Sequence, residues 1–200
     1  LVDHELFVAH HKHEIQSERT LKTLYLEPLS AKIRKNKGHA YKDTGFILTL
    51  MIDLKTEGIP TLDALVKQLE KYPAIVGCPT LHVMISGSVP QPETWKNYPG
   101  YITFDGRPNI SYTPDQLTRV RMISTSFRDH VNWDGTGRIP DAAAKIMTTL
   151  RDDAHAKNKT FRFWGTPDAQ NAWRELMRLE MDVIVTDDVK ALARFLAGEN

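Results

Sequence analysis

A single cysteine, Cys78, stands among 200 residues. No disulfide can close within the chain, so a disulfide-stapled scaffold is excluded, while the compartment stays open. No stretch approaches the roughly 18–20 apolar residues of a membrane span, and no transmembrane segment is expected. Neither sign of charge dominates: 26 Lys and Arg face 25 Asp and Glu, a formal net of +1. That balance gives no reason to expect nucleic acid or an anionic membrane surface as a partner. Internal repeats and low-complexity segments are lacking too. No secretory signal is visible, and the first residue is Leu1 rather than methionine.

What is present is enough apolar residue, 41%, for one globular domain over residues 1–200. Short apolar runs alternate with amphipathic stretches. Leu6–Ala9 reads as a short strand entered by a turn at Asp3-His4. Arg19 to Lys35 reads as helical, with Pro28 marking a break or a fresh start. Strands are expected at Gly45–Lys55, Leu81–Ser86, Tyr101–Asp105, Val120–Thr125, Thr160–Trp164 and Asp182–Val185. Helices are expected around Leu62–Tyr72, between Pro60 and Pro73, and over Ala142–Ala156, with Ile146, Met147 and Leu150 on one face. Pro92–Asn97 reads as one short helix. Thr166-Pro167 reads as a helix start before Trp173, Leu176 and Met177, and Asp187 as the cap of a last helix ending at Leu196. Strands alternating with helices imply a parallel sheet with helical cover. Six strands from Gly45 onward and part of a seventh before it fall short of the eight of a closed barrel. The expected fold is therefore a TIM-type (β/α)8 barrel lacking its first strand–helix unit.

Side chains alternate faces along a strand, which sorts the chemistry. In Gly45–Lys55 the residues Phe46, Leu48, Leu50, Ile52 and Leu54 share one apolar face. Asp53 and Lys55 project from the other at the C-terminal tip, where barrel active sites sit. A structural salt bridge is the competing reading of this pair. The same parity puts Ser86, Asp105, Ser124, Arg162 and Trp164 on the faces that turn polar at strand ends. His10, ending Leu6–Ala9, is a candidate for proton transfer near neutral pH, against an exposed loop histidine. His10-His11-Lys12-His13 is a weak metal signal without further spaced ligands. Gly135-x-Gly137 lacks the strand and lysine of a phosphate loop.

Taken together, these residues resemble the glycerophosphodiester phosphodiesterase and phosphatidylinositol phospholipase C-like superfamily. Within it they look most like the branch that includes altered inheritance of mitochondria protein 6. Phe7-Val-Ala-His-His11 resembles the family's second catalytic-histidine strand, followed by Arg19-Thr-Leu. Leu50-Met-Ile-Asp-Leu-Lys55 resembles its acidic-x-lysine strand. Phe161-Arg-Phe-Trp164 resembles the seventh-strand tryptophan, and Asp182-Val-Ile-Val-Thr-Asp187 the closing strand. The resemblance implies a (β/α)8 barrel holding one divalent cation, Mg²⁺ or Ca²⁺, with two histidines as general acid and base. The family's first histidine and its Glu-x-Asp metal pair have no counterpart here, so the chain looks like an N-terminally shortened member.

The resemblance implies these roles. Asp53 is a metal ligand, Lys55 holds a non-bridging phosphate oxygen, His10 transfers the proton, and Trp164 walls the substrate pocket or plugs the core. Ser86, Asp105 and Ser124 are supporting groups. The expected function of the parent protein is metal-dependent hydrolysis of a small phosphodiester or phospholipid-derived substrate, with the activity of the shortened chain itself left open. The alternative is a non-catalytic barrel that binds a phosphorylated ligand or a protein partner. A soluble parent protein is expected, and a secreted or extracytoplasmic location fits it. Two exposed sheet edges around the missing unit imply self-association.

Overall fold

Alternating apolar residues build five strands in the computed structural model, which describes residues 1–198. These are β1 (Leu48–Leu54), β2 (Leu81–Gly87), β3 (Ile102–Gly106), β4 (Val120–Ser126) and β5 (Thr160–Trp164). Their hydrogen-bonded order is β1-β2-β3-β4-β5. The β1/β2, β2/β3 and β4/β5 pairs are parallel. Parallel neighbours need crossovers, and helices supply them. This is an α/β fold whose strand order is that of part of a (β/α)8 barrel. Five strands form among the described residues where a closed barrel has eight. No helix among them is long and apolar enough to cross a membrane.

The chain divides into two units, Leu1–Phe104 and Asp105–Asn200. In the first, a π-helical turn, Lys22–Leu26, runs into α1 (Glu27–Lys35), with Pro28 in its first turn. The expected break or fresh start at Pro28 is corrected: the backbone stays helical from 21 to 35, and the wider π-turn before Pro28 accommodates its ring and its missing N–H. α2 (Gly58–Leu69) buries Leu62, Leu65 and Leu69, spaced on one face. Each contributes about 1.5–3 kcal/mol relative to exposure. α3 (Pro73–Val76) and a 3-10 helix, Pro92–Asn97, follow. Trp95 stacks on Phe104 with centroids 4.2 Å apart, and its indole N–H donates to the Pro90 carbonyl at 2.8 Å. β2 is buried from Val83 to Ser86, whereas β1 is largely half-buried. β1 lies at the end of the strand order with one lateral neighbour among the described strands, so its apolar face stays only partly covered. It also starts later than expected, leaving Phe46 and Ile47 exposed.

Leu6–Ala9 is not a strand. It holds a single antiparallel bridge, Phe7 to Thr20, with Val8 N–H donating to Arg19 and Leu21 N–H to Leu6. Its apolar alternation is satisfied by a local turn-back rather than by a sheet. The turn at Asp3-His4 forms as expected, both residues having positive φ.

The second unit adds α4 (Pro114–Arg119), α5 (Asp141–His155), α6 (Gln170–Arg178) and α7 (Val189–Leu196). α4 was not anticipated, although Thr113 and Gln116 form a reciprocal capping box at its start. Phe161 and Phe163 alternate inward along β5, with Phe127 edge-on to Phe163 at 5.6 Å. Several expectations are corrected. Ile146 on α5 and Met177 on α6 are exposed, because the buried stripes run through Met147 and Ala154 and through Ala172, Trp173 and Leu176. Thr166-Pro167 does not begin α6, whose N-cap is Ala169. α7 is capped by Asp188, which accepts from the Ala191 N–H, and not by Asp187. Asp182–Val185 forms no strand. The Asp182 carboxylate instead accepts the Phe161 N–H at 2.7 Å and contacts His155 at 2.8 Å.

Candidate active site

β1 delivers Asp53 and, just past its end, Lys55 to one side of the strand. Lys55 Nζ lies 2.7 Å from Asp53 Oδ2, and the two side chains are 44% and 43% exposed. An ion pair that open is worth no more than about 1 kcal/mol, so its geometry has little stabilising purpose. Ser86 is paired with Asp53 in the β1/β2 ladder and is buried. Gly87 follows it with φ +76°, and a Cβ there would run into the Asp53 carboxylate and the Leu54 backbone. The closeness of β2 to Asp53 therefore depends on a residue without a side chain.

A cavity of about 310 Å³ in this unit is lined by His10, Asp53, Lys55, Thr56, Thr61 and Tyr25, among others. The Thr56 and Thr61 hydroxyls are 2.7 Å apart. His10 is exposed, and its loop is pinned by Glu14, whose Oε2 accepts the N–H groups of His10 and His11 at 3.0 and 2.9 Å. The His11 N–H, opposed by burial and aided by that of His10, holds the Glu14 carboxyl below its ordinary value. The His10 and His11 rings meet edge-on at 4.5 Å.

Among the described residues Asp53 is the one carboxylate lining this cavity. Mg²⁺ takes about six oxygens and Ca²⁺ about 6–8. Among the described residues no three His, Cys, Asp or Glu side chains gather as a cation site, the His10–His13 loop included. With its carboxylate already on an ammonium, Asp53 does not by itself fit either ion.

The second unit carries a separate polar cluster at its strand ends. The Asp105 side chain is wholly buried. Both its oxygens accept from Ser124 Oγ at 2.7 Å, while Arg107 Nη1 lies 2.9 Å and Arg162 Nη2 3.6 Å away. Ser124 is paired with Arg162 in the β4/β5 ladder, which sets Arg162 beside it. A buried carboxylate needs such partners, since desolvation otherwise costs several kcal/mol. Trp164 is 44% exposed and lines a cavity of about 460 Å³ with Arg107, Thr125, Ser126, Asp129 and His130.

The structure thus gathers His10, Asp53 and Lys55 around one cavity, pairs Asp53 with Ser86, and joins Asp105 to Ser124. Trp164 lines the cavity of the second unit. Arg107 was missed in the sequence, yet a signal existed: Asp105-Gly-Arg107 repeats at a strand end the acid-x-cation spacing of Asp53-Leu-Lys55.

Residues 1–74, which include His10, Asp53 and Lys55, match the AIM6-like phosphodiesterase domain. Residues 160–190, which include Trp164, match the glycerophosphoryl diester phosphodiesterase family. The matches support the phosphodiesterase superfamily and its AIM6-like branch. No curated protein matches the chain. Among solved structures, Vibrio cholerae LapD S helix-GGDEF-EAL (bound to c-di-GMP) is similar at 14% identity and a TM-score of 0.39. The alignment covers 83% of this chain and 43% of that one.

Proposed function

We propose that residues 1–200 belong to one barrel domain that hydrolyses a phosphodiester of the glycerophosphodiester or phospholipid type. The observation that carries this reading is the meeting of His10, Asp53 and Lys55 on one cavity, inside the segment that matches a phosphodiesterase domain. A phosphodiester bears one negative charge and gains more on attack. Lys55 offers a compact ammonium to a non-bridging oxygen, where charge develops. His10 gives a proton to the departing oxygen or takes one from the attacking hydroxyl. Ser86, Asp105 and Ser124 hold the strand ends in place.

Asp53 is proposed as one ligand of Mg²⁺ or Ca²⁺. As a single carboxylate it leaves most of the ion's oxygen positions to be filled by groups other than those described. That deficit favours the second reading for this stretch of chain, namely binding of a phosphorylated ligand without turnover. One assay separates the two. The protein is offered a chromogenic phosphodiester with and without added Mg²⁺ or Ca²⁺. Cation-dependent turnover that falls in His10→Ala supports the hydrolase. Saturable binding of the ester with no turnover supports the binder.

A further inference from the structure

In the second unit the Arg107 guanidinium is anchored on one side and open on the other. Arg107 Nη1 takes the internal contacts: Asp105 Oδ2 at 2.9 Å, Ser124 Oγ at 3.0 Å, and the carbonyls of Gly106 and Asp105 at 3.0 and 3.4 Å. Its backbone N–H donates to Tyr112 Oη at 2.8 Å, which fixes the base of the side chain. The Nε and Nη2 donors have no hydrogen-bond partner among the described residues. Those two nitrogens form the fork that grips an oxyanion through two parallel hydrogen bonds. Arg107 lines the 460 Å³ cavity, and its side chain is 31% exposed.

The charge around it favours an anion. Asp105 is one carboxylate against two guanidinium groups, Arg107 and Arg162. The cluster keeps one positive charge, and Arg107 carries it to the cavity wall. His130 lines the same cavity, with Nε2 3.1 Å from Thr125 Oγ1 and no hydrogen-bond partner at Nδ1 among the described residues. When the threonine hydroxyl donates to Nε2, the Nδ1–H is a second donor. Asp129 also lines the cavity and is exposed, so its carboxylate opposes an anion nearby. Trp164 and Ile110 supply an exposed apolar wall.

We propose that Arg107 and His130 form an oxyanion site for a phosphate monoester, whose phosphate sits in the Arg107 fork and whose organic part lies against Trp164 and Ile110. This goes beyond the hydrolase reading, which uses His10, Asp53 and Lys55.

The test follows the Trp164 indole N–H by NMR in ¹⁵N-labelled full chain, with the signal assigned through Trp164→Phe. Inorganic phosphate and glycerol phosphate are titrated at constant ionic strength. Saturable shifts are expected with both, tighter for glycerol phosphate. Arg107→Lys keeps a cation for Asp105 but loses the fork, and should weaken binding roughly tenfold or more, as should His130→Ala. Asp129→Asn should tighten it. Lys55→Met should leave this signal's response unchanged while bearing on hydrolysis, so failure of the two readings is distinguishable. A shift linear in phosphate up to tens of millimolar, or equal affinity in wild type, Arg107→Lys and His130→Ala, would overturn the proposal.

Discussion

Lys55 Nζ and Asp53 Oδ2 lie 2.7 Å apart at the end of β1, on side chains each more than two-fifths exposed. A pair so open contributes little to folding, and its members can part for a ligand. Asp53→Asn and Lys55→Met are therefore expected to change stability by less than about 1 kcal/mol. In the parent protein both should lower phosphodiester turnover. Asp53→Asn should also raise the cation concentration needed, while Lys55→Met should fail even at saturating cation. Melting and activity are measured on the same preparations. If the pair is structural only, both variants melt lower and turn over normally. Calorimetry should find weak Mg²⁺ and Ca²⁺ binding to the 200-residue chain, and tight one-to-one binding would show that further ligands complete the site around Asp53.

His10→Ala should reduce turnover by roughly 10²–10⁴-fold, the usual contribution of a positioned acid or base. The side chain is exposed, so the melting temperature should stay within a degree or two. Unchanged turnover would remove His10 from the mechanism.

Gly87→Ala tests how closely β2 approaches Asp53. The residue has φ +76°, and a Cβ would meet Asp53 and Leu54. Gly137 has φ +62° with nothing within 4 Å of a Cβ. Gly137→Ala should cost about 1–2 kcal/mol from backbone strain alone. Gly87→Ala should cost distinctly more and should also perturb the Asp53 carboxyl resonance. Equal losses in denaturant melts would show that the strand ends relax freely.

Acid stability should depend on Glu175. The Arg178 guanidinium, and then the Ile139 N–H, hold its carboxyl below the ordinary range against the opposing effect of burial. A carboxyl with a lowered folded-state pKa stabilises the fold fully above its unfolded value, about 4.3. That contribution declines as the pH falls from there through the folded value. The stability gap between wild type and Glu175→Gln should be constant near pH 6 to 7 and shrink between about pH 5 and 3. A gap independent of pH would contradict this.

β1 stands at one end of the strand order with Leu48, Leu50 and Ile52 half-buried. Such an edge recruits further strands. Light scattering is expected to show self-association that rises with concentration. A monodisperse monomer at high concentration would count against it.

The alternation of the sequence determined which residues share a face. Thr160–Trp164 is a strand with the bounds its pattern predicts, and Phe161 and Phe163 are buried on the expected side. Asp53 and Lys55 fall on one side of β1 for the same reason: alternation follows from backbone geometry and needs no partner. A strand, however, exists only where another backbone accepts its hydrogen bonds. Leu6–Ala9 and Asp182–Val185 carry strand-like patterns, yet find a turn-back and side-chain contacts instead. The same limit applies to the sites. Asp105 and Arg107 are close in sequence, but the burial of Asp105 by Ser124 and Arg162 comes from strands 19 or more residues away. The pairing of His10 with Asp53 across one cavity is equally non-local. Such meetings are fixed by how the chain closes its loops, an energy spread over the whole core, so no short stretch of sequence carries it.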